Sequence, residues 1–376
     1  MSRPRVAVTV IFVLNGALFA SIFSRLPAIK ERAGLSAGAL GLVLLCAMLG
    51  LLLSQLAAGP LVARFGSRPL VLAGALGYAV ALAPIGLATS FVPLAGAFLV
   101  AGVFNGTLDV AMNVHGITIE RQMGRPIIAT LHAGFSFGAL IGAAAGAGVA
   151  AAGIAAQAHL IAAAACGVVV VLLAVRFLLP PAADAAPEGP RFARPTRGLV
   201  AVGAFAFCVL LAEGAVNDWS AVYLREDLDA GEGLAAAGLA AFSLTMASGR
   251  LMGDRLAGRL GATRLARAGG ALAAVGLAVA VLASGPAAAI AGLAAAGVGL
   301  AALFPLAVRA AADAGSPGPS VSAVTAFGYC GFLAGPPAVG GLAELAGLRA
   351  GLALVALLCA VGAALGAAVR APVRSR

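Results

Sequence analysis

Long runs of this chain carry no charged residue, and they constrain its fold more than any motif does. Neutral stretches run from Ala33 to Ala63, Pro69 to Leu108, Pro126 to Val175, Ala268 to Val308, Ala314 to Ala343 and Ala350 to Val369. A helix crossing the hydrocarbon core of a bilayer needs about 20 apolar residues, so the longest stretches each hold two crossings. With the interrupted segments near Val6–Ile22, Phe91–Val114, Leu199–Tyr223 and Leu234–Gly253, the count reaches about twelve spans. Only 10% of the 376 residues are charged and 62% are hydrophobic, whereas soluble domains run at roughly a quarter charged. An all-α integral membrane protein is therefore expected.

The net charge of +10 would suggest nucleic-acid binding if the basic residues shared one face of a soluble domain. Their order along the chain says otherwise. With the N-terminus in the cytoplasm, 18 of the 24 basic residues fall on the cytoplasmic side: Arg3 and Arg5, Arg64 and Arg68, Arg121 and Arg125, Arg176 to Arg197, Arg255 to Arg267, Arg309 and the Arg370–Arg376 tail. Arg25, Lys30, Arg32, Arg225 and Arg349 fall outside, and Arg250 stands at a span end. Every second loop thus obeys the positive-inside rule, which predicts an even number of spans in the inner membrane with both termini cytoplasmic. The bilayer is the expected partner, nucleic acid is not, and a monomer is expected.

The five cysteines, Cys46, Cys166, Cys208, Cys330 and Cys359, lie in apolar spans at no repeated spacing, so neither disulfide nor metal site is expected. The apolar run after MSRPR is too long for a signal-peptide core and is read as a retained first span. Neither a P-loop nor a strand-anchored G-x-G-x-x-G occurs, so no nucleotide cofactor is expected. Nor is an enzyme: His132 and Ser136 share a face, but one helix cannot assemble a hydrolytic site.

Residues 180–197, PPAADAAPEGPRFARPTR, carry five prolines and read as a cytoplasmic linker. They separate an N-terminal bundle, 1–179, from a C-terminal bundle, 198–376, each with room for about six spans. The halves resemble one another. ARFGSRPL from Ala63 aligns with GRLGATRL from Gly258, and AGVFNGTLDVAM from Ala101 with AGVGLAALFPLA from Ala296, both at an offset of 195; Gly138 and Gly142 align with Gly331 and Gly335 at 193. Repeated bundles joined in the cytoplasm mark secondary transporters.

With that topology, the chain resembles the major facilitator superfamily over its whole length. The superfamily's loop pattern after each half's second span, approximately G-x-x-x-D-R-x-G-R-R, is legible as GRLMGDRLAGRLG from Gly249 to Gly261, with one extra residue between Gly249 and Asp254. In the first half GPLVARFGSR keeps Gly59, Arg64, Gly66 and Arg68 but has Ala63 at the aspartate position. The resemblance implies a conformational latch at Arg64, Arg68, Asp254, Arg255 and Arg259, though any cytoplasmic loop holds arginines.

Ionisable side chains in hydrocarbon are costly and usually serve function. Here they are Asp109 in the fourth span and Glu213 and Asp218 in the seventh. The resemblance places the first, fourth, seventh and tenth spans around the central cavity; the tenth carries Phe304 and Pro305 where the fourth has Asp109 and Val110. Asn105, Asp109 and Asn113 follow one another at i, i+4 and i+8 and share a helical stripe, either a site for a hydroxylated solute and a proton or a polar seam between helices. Glu213 and Asn217 share a face. Asp218, Trp219 and Tyr223 suit either the cavity or an interfacial aromatic belt. Asn15 is a candidate cavity donor, while His115 and His159 are expected at interfaces.

A finer resemblance is to the fucose:proton symporter branch. It rests on Asp109 with Asn113, and on His132–Ala133–Gly134–Phe135–Ser136–Phe137–Gly138–Ala139 in place of that branch's Q-T-F-N-S-F-G-A-like segment. It implies that Asp109 carries substrate or proton and that His132 and Ser136 face substrate. Phe23 stands where the branch has a first-span aspartate, and Glu213 is the candidate replacement. Gly134, Gly138, Gly142 and Gly146 form a small-residue seam for close helix packing. GFLAGPPAVGG, Gly331 to Gly341, matches a string common in drug antiporters. The expected function is proton-coupled symport of a small, sugar-like polar solute; the alternatives are a drug or metabolite efflux antiporter and a transport-inactive sensor on the same fold.

Overall fold

The computed structural model describes residues 3–124, 127–183, 197–313 and 317–369. Fourteen α-helices occupy them: α1 (Arg3–Phe23), α2 (Leu26–Arg32), α3 (Ala37–Phe65), α4 (Ser67–Leu87), α5 (Phe91–Met123), α6 (Ile128–Ala151), α7 (Ala156–Ala174), α8 (Arg197–Glu226), α9 (Glu232–Leu260), α10 (Ala262–Leu282), α11 (Pro286–Leu300), α12 (Leu303–Asp313), α13 (Pro317–Ala346) and α14 (Leu348–Leu365). Among the described residues eleven stretches are long and apolar enough to cross a membrane, with α11 and α12 counted as one. The 30-residue α13, which contains Pro336 and Pro337, is one further long helix. The expected all-α membrane fold is the one observed. Most of the expected linker, residues 184–196, lies outside the described residues, as does the Asp254 side chain.

Several helices run past the polar residues at which hydropathy alone would end them. The fourth span, expected to stop near Val114, continues as α5 to Met123 and ends where Gly124 turns left-handed at φ +61°. Hydropathy reports the depth of the bilayer, while a helix ends only where the backbone is capped.

The tenth span is interrupted: α11 stops at Leu300, and α12 begins at Leu303 after a turn at Ala301 and Ala302. Pro305 lacks the N–H that would bond the Ala301 carbonyl, and its ring crowds that carbonyl.

By its internal contacts the chain divides into two units, Met1–Glu188 with Gly231–Ala240, and Gly189–Ala230 with Ala241–Arg376. In the first, α1 packs along α6, α3 along α5, and α4 against both α5 and α7. In the second, α8 packs along α13 and α14, and α10 against α11 and α14. Lipid is as apolar as any side chain, so these pairs are held by close packing and hydrogen bonds rather than by expulsion of water. The contact between α1 and α6 is made backbone to backbone. A Cβ on Gly138 would overlap the Val13 carbonyl, and one on Gly142 the Ala17 carbonyl.

The second unit repeats this device, with Gly331 of α13 set against the Phe207 carbonyl of α8. The repeat extends to the loops. Gly66, between α3 and α4, has φ +78°, and Gly261, between α9 and α10, has φ +81°. These glycines stand 195 residues apart, so the loop pattern requires glycine there because other residues resist positive φ.

Candidate functional site

In the first unit the α5 stripe is built around Asp109. Its Oδ2 accepts from Gln55 Nε2 at 3.1 Å and its Oδ1 from Asn113 Nδ2 at 3.2 Å; the same Asn113 amide also donates to the Asp109 backbone carbonyl at 2.8 Å. Gln55 comes from α3, so the carboxyl is gripped from two helices. Asn113, one turn along α5, orients it from its own helix. Asn105, on the same stripe, has a buried Oδ1 with no hydrogen-bond partner. Asn15, buried on α1, donates to the Met112 sulfur at 3.9 Å, and its Oδ1 also has no partner. His132 is exposed on α6 with its ring 5.4 Å from that of Phe12, and Ser136 Oγ donates to the His132 carbonyl at 3.3 Å.

In the second unit Glu213 is not a solitary acid. Its Oε1 accepts from Arg250 Nη2 at 2.8 Å, and the pair is partly open, with 15% of the Glu213 side chain and 26% of Arg250 exposed. Asn217 is half-buried one turn further along α8. Asp218 is buried, and Trp219 and Tyr223 have no exposed surface. The Tyr223 hydroxyl donates to the Ala280 carbonyl of α10 at 2.8 Å. Trp219 Nε1 has no hydrogen-bond partner. Protein encloses all three, so none of them forms an interfacial belt.

Gln55 and Arg250 are the residues that reasoning from single helices missed. A signal for them existed in the repeat. They are separated by 195 residues, the offset that relates the two loops, so each half places a donor at the same position of its second span.

The two histidines expected at interfaces are buried instead. His115 Nε2 accepts the Leu179 N–H at 3.2 Å, which leaves the ring proton on Nδ1 to donate to Ser67 Oγ at 2.6 Å. This joins α5, the start of α4 and the segment after α7. His159 is buried near Ser24 and Arg25. Arg25, expected in an outer loop, is 2% exposed; its Nη2 donates to the Ile154 carbonyl at 2.7 Å and to Glu232 Oε2 at 3.1 Å. Burial lowers the Arg25 pKa below the ordinary arginine value, and Glu232 opposes that shift. Because Glu232 is 41% exposed, water can take over from it, whereas removing the 2%-exposed Arg25 side chain empties a packed position and takes the donor from the Ile154 carbonyl. Thermal unfolding should show Arg25→Met costing about 2–3 kcal/mol and Glu232→Gln less than about 1. The reverse order would mean that the pair, not the carbonyl, holds Arg25.

Among the loop residues, Arg64 is exposed with its guanidinium 5.1 Å from the Phe65 ring centroid, Arg68 is half-buried, and Arg255 and Arg259 are exposed. The five cysteines are unpaired, and the described residues contain no group of three His, Cys, Asp or Glu able to hold a metal ion.

This arrangement, two helical units each carrying a hydrogen-bonded intramembrane acid, can be set beside known proteins. The chain is 31% identical over 356 residues to an uncharacterized MFS-type transporter of Yersinia pestis, covering 94% of this chain and 92% of that one. It is 34% identical over 359 residues to an uncharacterized transporter of Sinorhizobium fredii, covering 92% and 93%. A point mutant of the nucleoside transporter NupG has the same fold, with a TM-score of 0.79 at 12% identity over 97% of this chain and 99% of that one. The model of the Major Facilitator Superfamily matches residues 8–318 and 202–376. A membrane transporter fold, matched end to end by sequence and by structure, makes this chain a member of the Major Facilitator Superfamily.

Proposed function

We propose that this transporter carries a small, hydroxyl-bearing solute by alternating access, in symport with protons, across the inner membrane. One observation carries the reading: the Asp109 carboxyl, held from α3 by Gln55 and from its own helix by Asn113. A carboxylate accepts both amide bonds. Once protonated it gains a donor and must rearrange, so proton loading changes what α3 and α5 present to a solute. The His132–Ala139 segment of α6, with its resemblance to the fucose-symporter branch, supports a sugar-like solute. The bundles 1–179 and 198–376 are the proposed moving bodies, with the loop arginines and Asp254 as their latch.

Glu213 is the proposed second proton site. Substrate-dependent proton flux in liposomes tests the reading: Glu213→Gln should shift the pH profile of transport, and its effect should combine non-additively with that of Asp109→Asn, because the two acids serve one cycle. Additive losses with an unchanged profile would assign Glu213 to structure. Absence of proton flux with any transported solute would reject symport.

A further inference from the structure

Hydrocarbon holds no water to satisfy a polar side chain, so a buried one without a partner calls for a use. In the last third of α8 three follow one another. Asp218 is 7% exposed, and Trp219 and Ser220 are fully buried. Trp219 Nε1 and Ser220 Oγ have no hydrogen-bond partner, and Asp218 has neither hydrogen bond nor ion pair with any described residue. The other acids within the spans are held: Asp109 by Gln55 and Asn113, Glu213 by Arg250. The charged or titratable side chains on the helices packed against α8 are Glu344, Tyr329 and Cys330 of α13, Arg309 and Asp313 of α12, and Arg349 and Cys359 of α14. None of them is bonded to Asp218; Arg349 is set against Asp227 instead, at 3.6 Å.

The repeat shows that the fold asks for no acid at this position. Gly138 and Gly142 lie on the Val13 and Ala17 carbonyls of α1, and their counterparts Gly331 and Gly335 lie on the Phe207 and Leu211 carbonyls of α8. That register makes Ser24 the counterpart of Asp218. Ser24 is a small residue satisfied locally, its Oγ donating to the Ser21 carbonyl at 3.2 Å. A carboxylate enclosed without a donor or counter-charge is the costliest form of the Asp218 side chain, whereas a neutral acid needs only an acceptor for its O–H. α13 has such acceptors beside this stretch of α8. Gly214, one turn before Asp218, lies against the Phe332 ring, and Pro336 and Pro337 deprive the Phe332 and Leu333 carbonyls of their helical donors.

We infer that Asp218 bears a proton in this state, and that giving it up is a step of the transport cycle. The proton passes to water when a later state wets the acid, and the carboxylate takes up a proton again before it is resealed. This adds Asp218 to Asp109 and Glu213 as a carrier. The inference rests on the symport reading for the use of this proton, but not for its presence.

Infrared spectra of the purified full-length protein, without solute at neutral pH, test the presence. A carbonyl stretch of a protonated carboxyl, shifted in heavy water, should be lost in Asp218→Asn and kept in Glu213→Gln. Asparagine copies the neutral acid in shape and charge, so this variant should melt near the native temperature. If it does not fold, carbon-13 aspartate in the Asp109→Asn protein gives the same reading as a band shift with Asp218 in place. Proton flux driven by L-fucose or D-glucose gradients in liposomes tests the use: Asp218→Asn should lose the flux and retain counterflow. Absence of the aspartate band would overturn the inference, as would native proton flux through Asp218→Asn. A band assigned to Asp218 in a protein that moves neither sugar with protons upholds the proton on Asp218 and rejects the sugar-symport reading. Flux that survives Asp218→Asn but not Asp109→Asn keeps symport and overturns the inference.

Discussion

Asp109→Asn should abolish uphill accumulation of solute while leaving binding or exchange measurable. The replacement preserves shape, and its carbonyl oxygen can still accept from Gln55 or Asn113, the two amides that grip the native carboxyl, so the local packing of α3 and α5 should survive. What is lost is the ability to take up and release a proton. A proton moving through 100 mV contributes about 2.3 kcal/mol, enough for roughly fifty-fold accumulation before any pH term; without it the expected ratio falls to about one. Liposomes with an imposed gradient measure this directly. Accumulation at the native ratio by the Asn variant would remove Asp109 from the coupling mechanism, whereas counterflow without accumulation would place it at the coupling step.

The second large effect is expected on folding. Gly138→Val should prevent α6 from seating on α1, because a Cβ at that position falls on the Val13 carbonyl, part of rigid helix backbone that cannot rotate away. Overpacking against flexible side chains typically costs about 1–3 kcal/mol, and a clash with backbone lies at or beyond that upper end. This is a substantial part of an ordinary stability of about 5–15 kcal/mol. One turn away, Gly134→Ala should be nearly neutral, since its nearest neighbour, the Val13 Cγ2 methyl, is 3.5 Å from where the new Cβ would sit. Yield, monodispersity in detergent and melting temperature compare the two. Similar behaviour of both variants would show that the glycine seam is not a backbone contact.

That seam is legible in the sequence, because glycine every four residues on an apolar helix has few uses other than close packing. Its partner is not. Periodicity shows that Gly138 and Gly142 share a face but not that the face meets Val13 and Ala17 of α1. The same division runs through the candidate site. The stripe of Asn105, Asp109 and Asn113 can be read from spacing alone, but Gln55 lies 54 residues from Asp109 and Arg250 37 residues from Glu213, and no local pattern connects them. Arg25 shows the limit more plainly. By charge and position it belongs to an outer loop, yet it is buried against the Ile154 carbonyl.

The spans and the two-fold repeat are legible in the sequence alone, because insertion into a bilayer responds to hydropathy counted along the chain and the loop glycines recur at a fixed offset. The choice of polar partners was decided only in the tertiary structure. In a medium without water, a buried donor or acceptor must find its complement on whichever helix packs beside it. Which helix that is depends on how small residues let backbones approach, a property of two surfaces together rather than of either helix by itself.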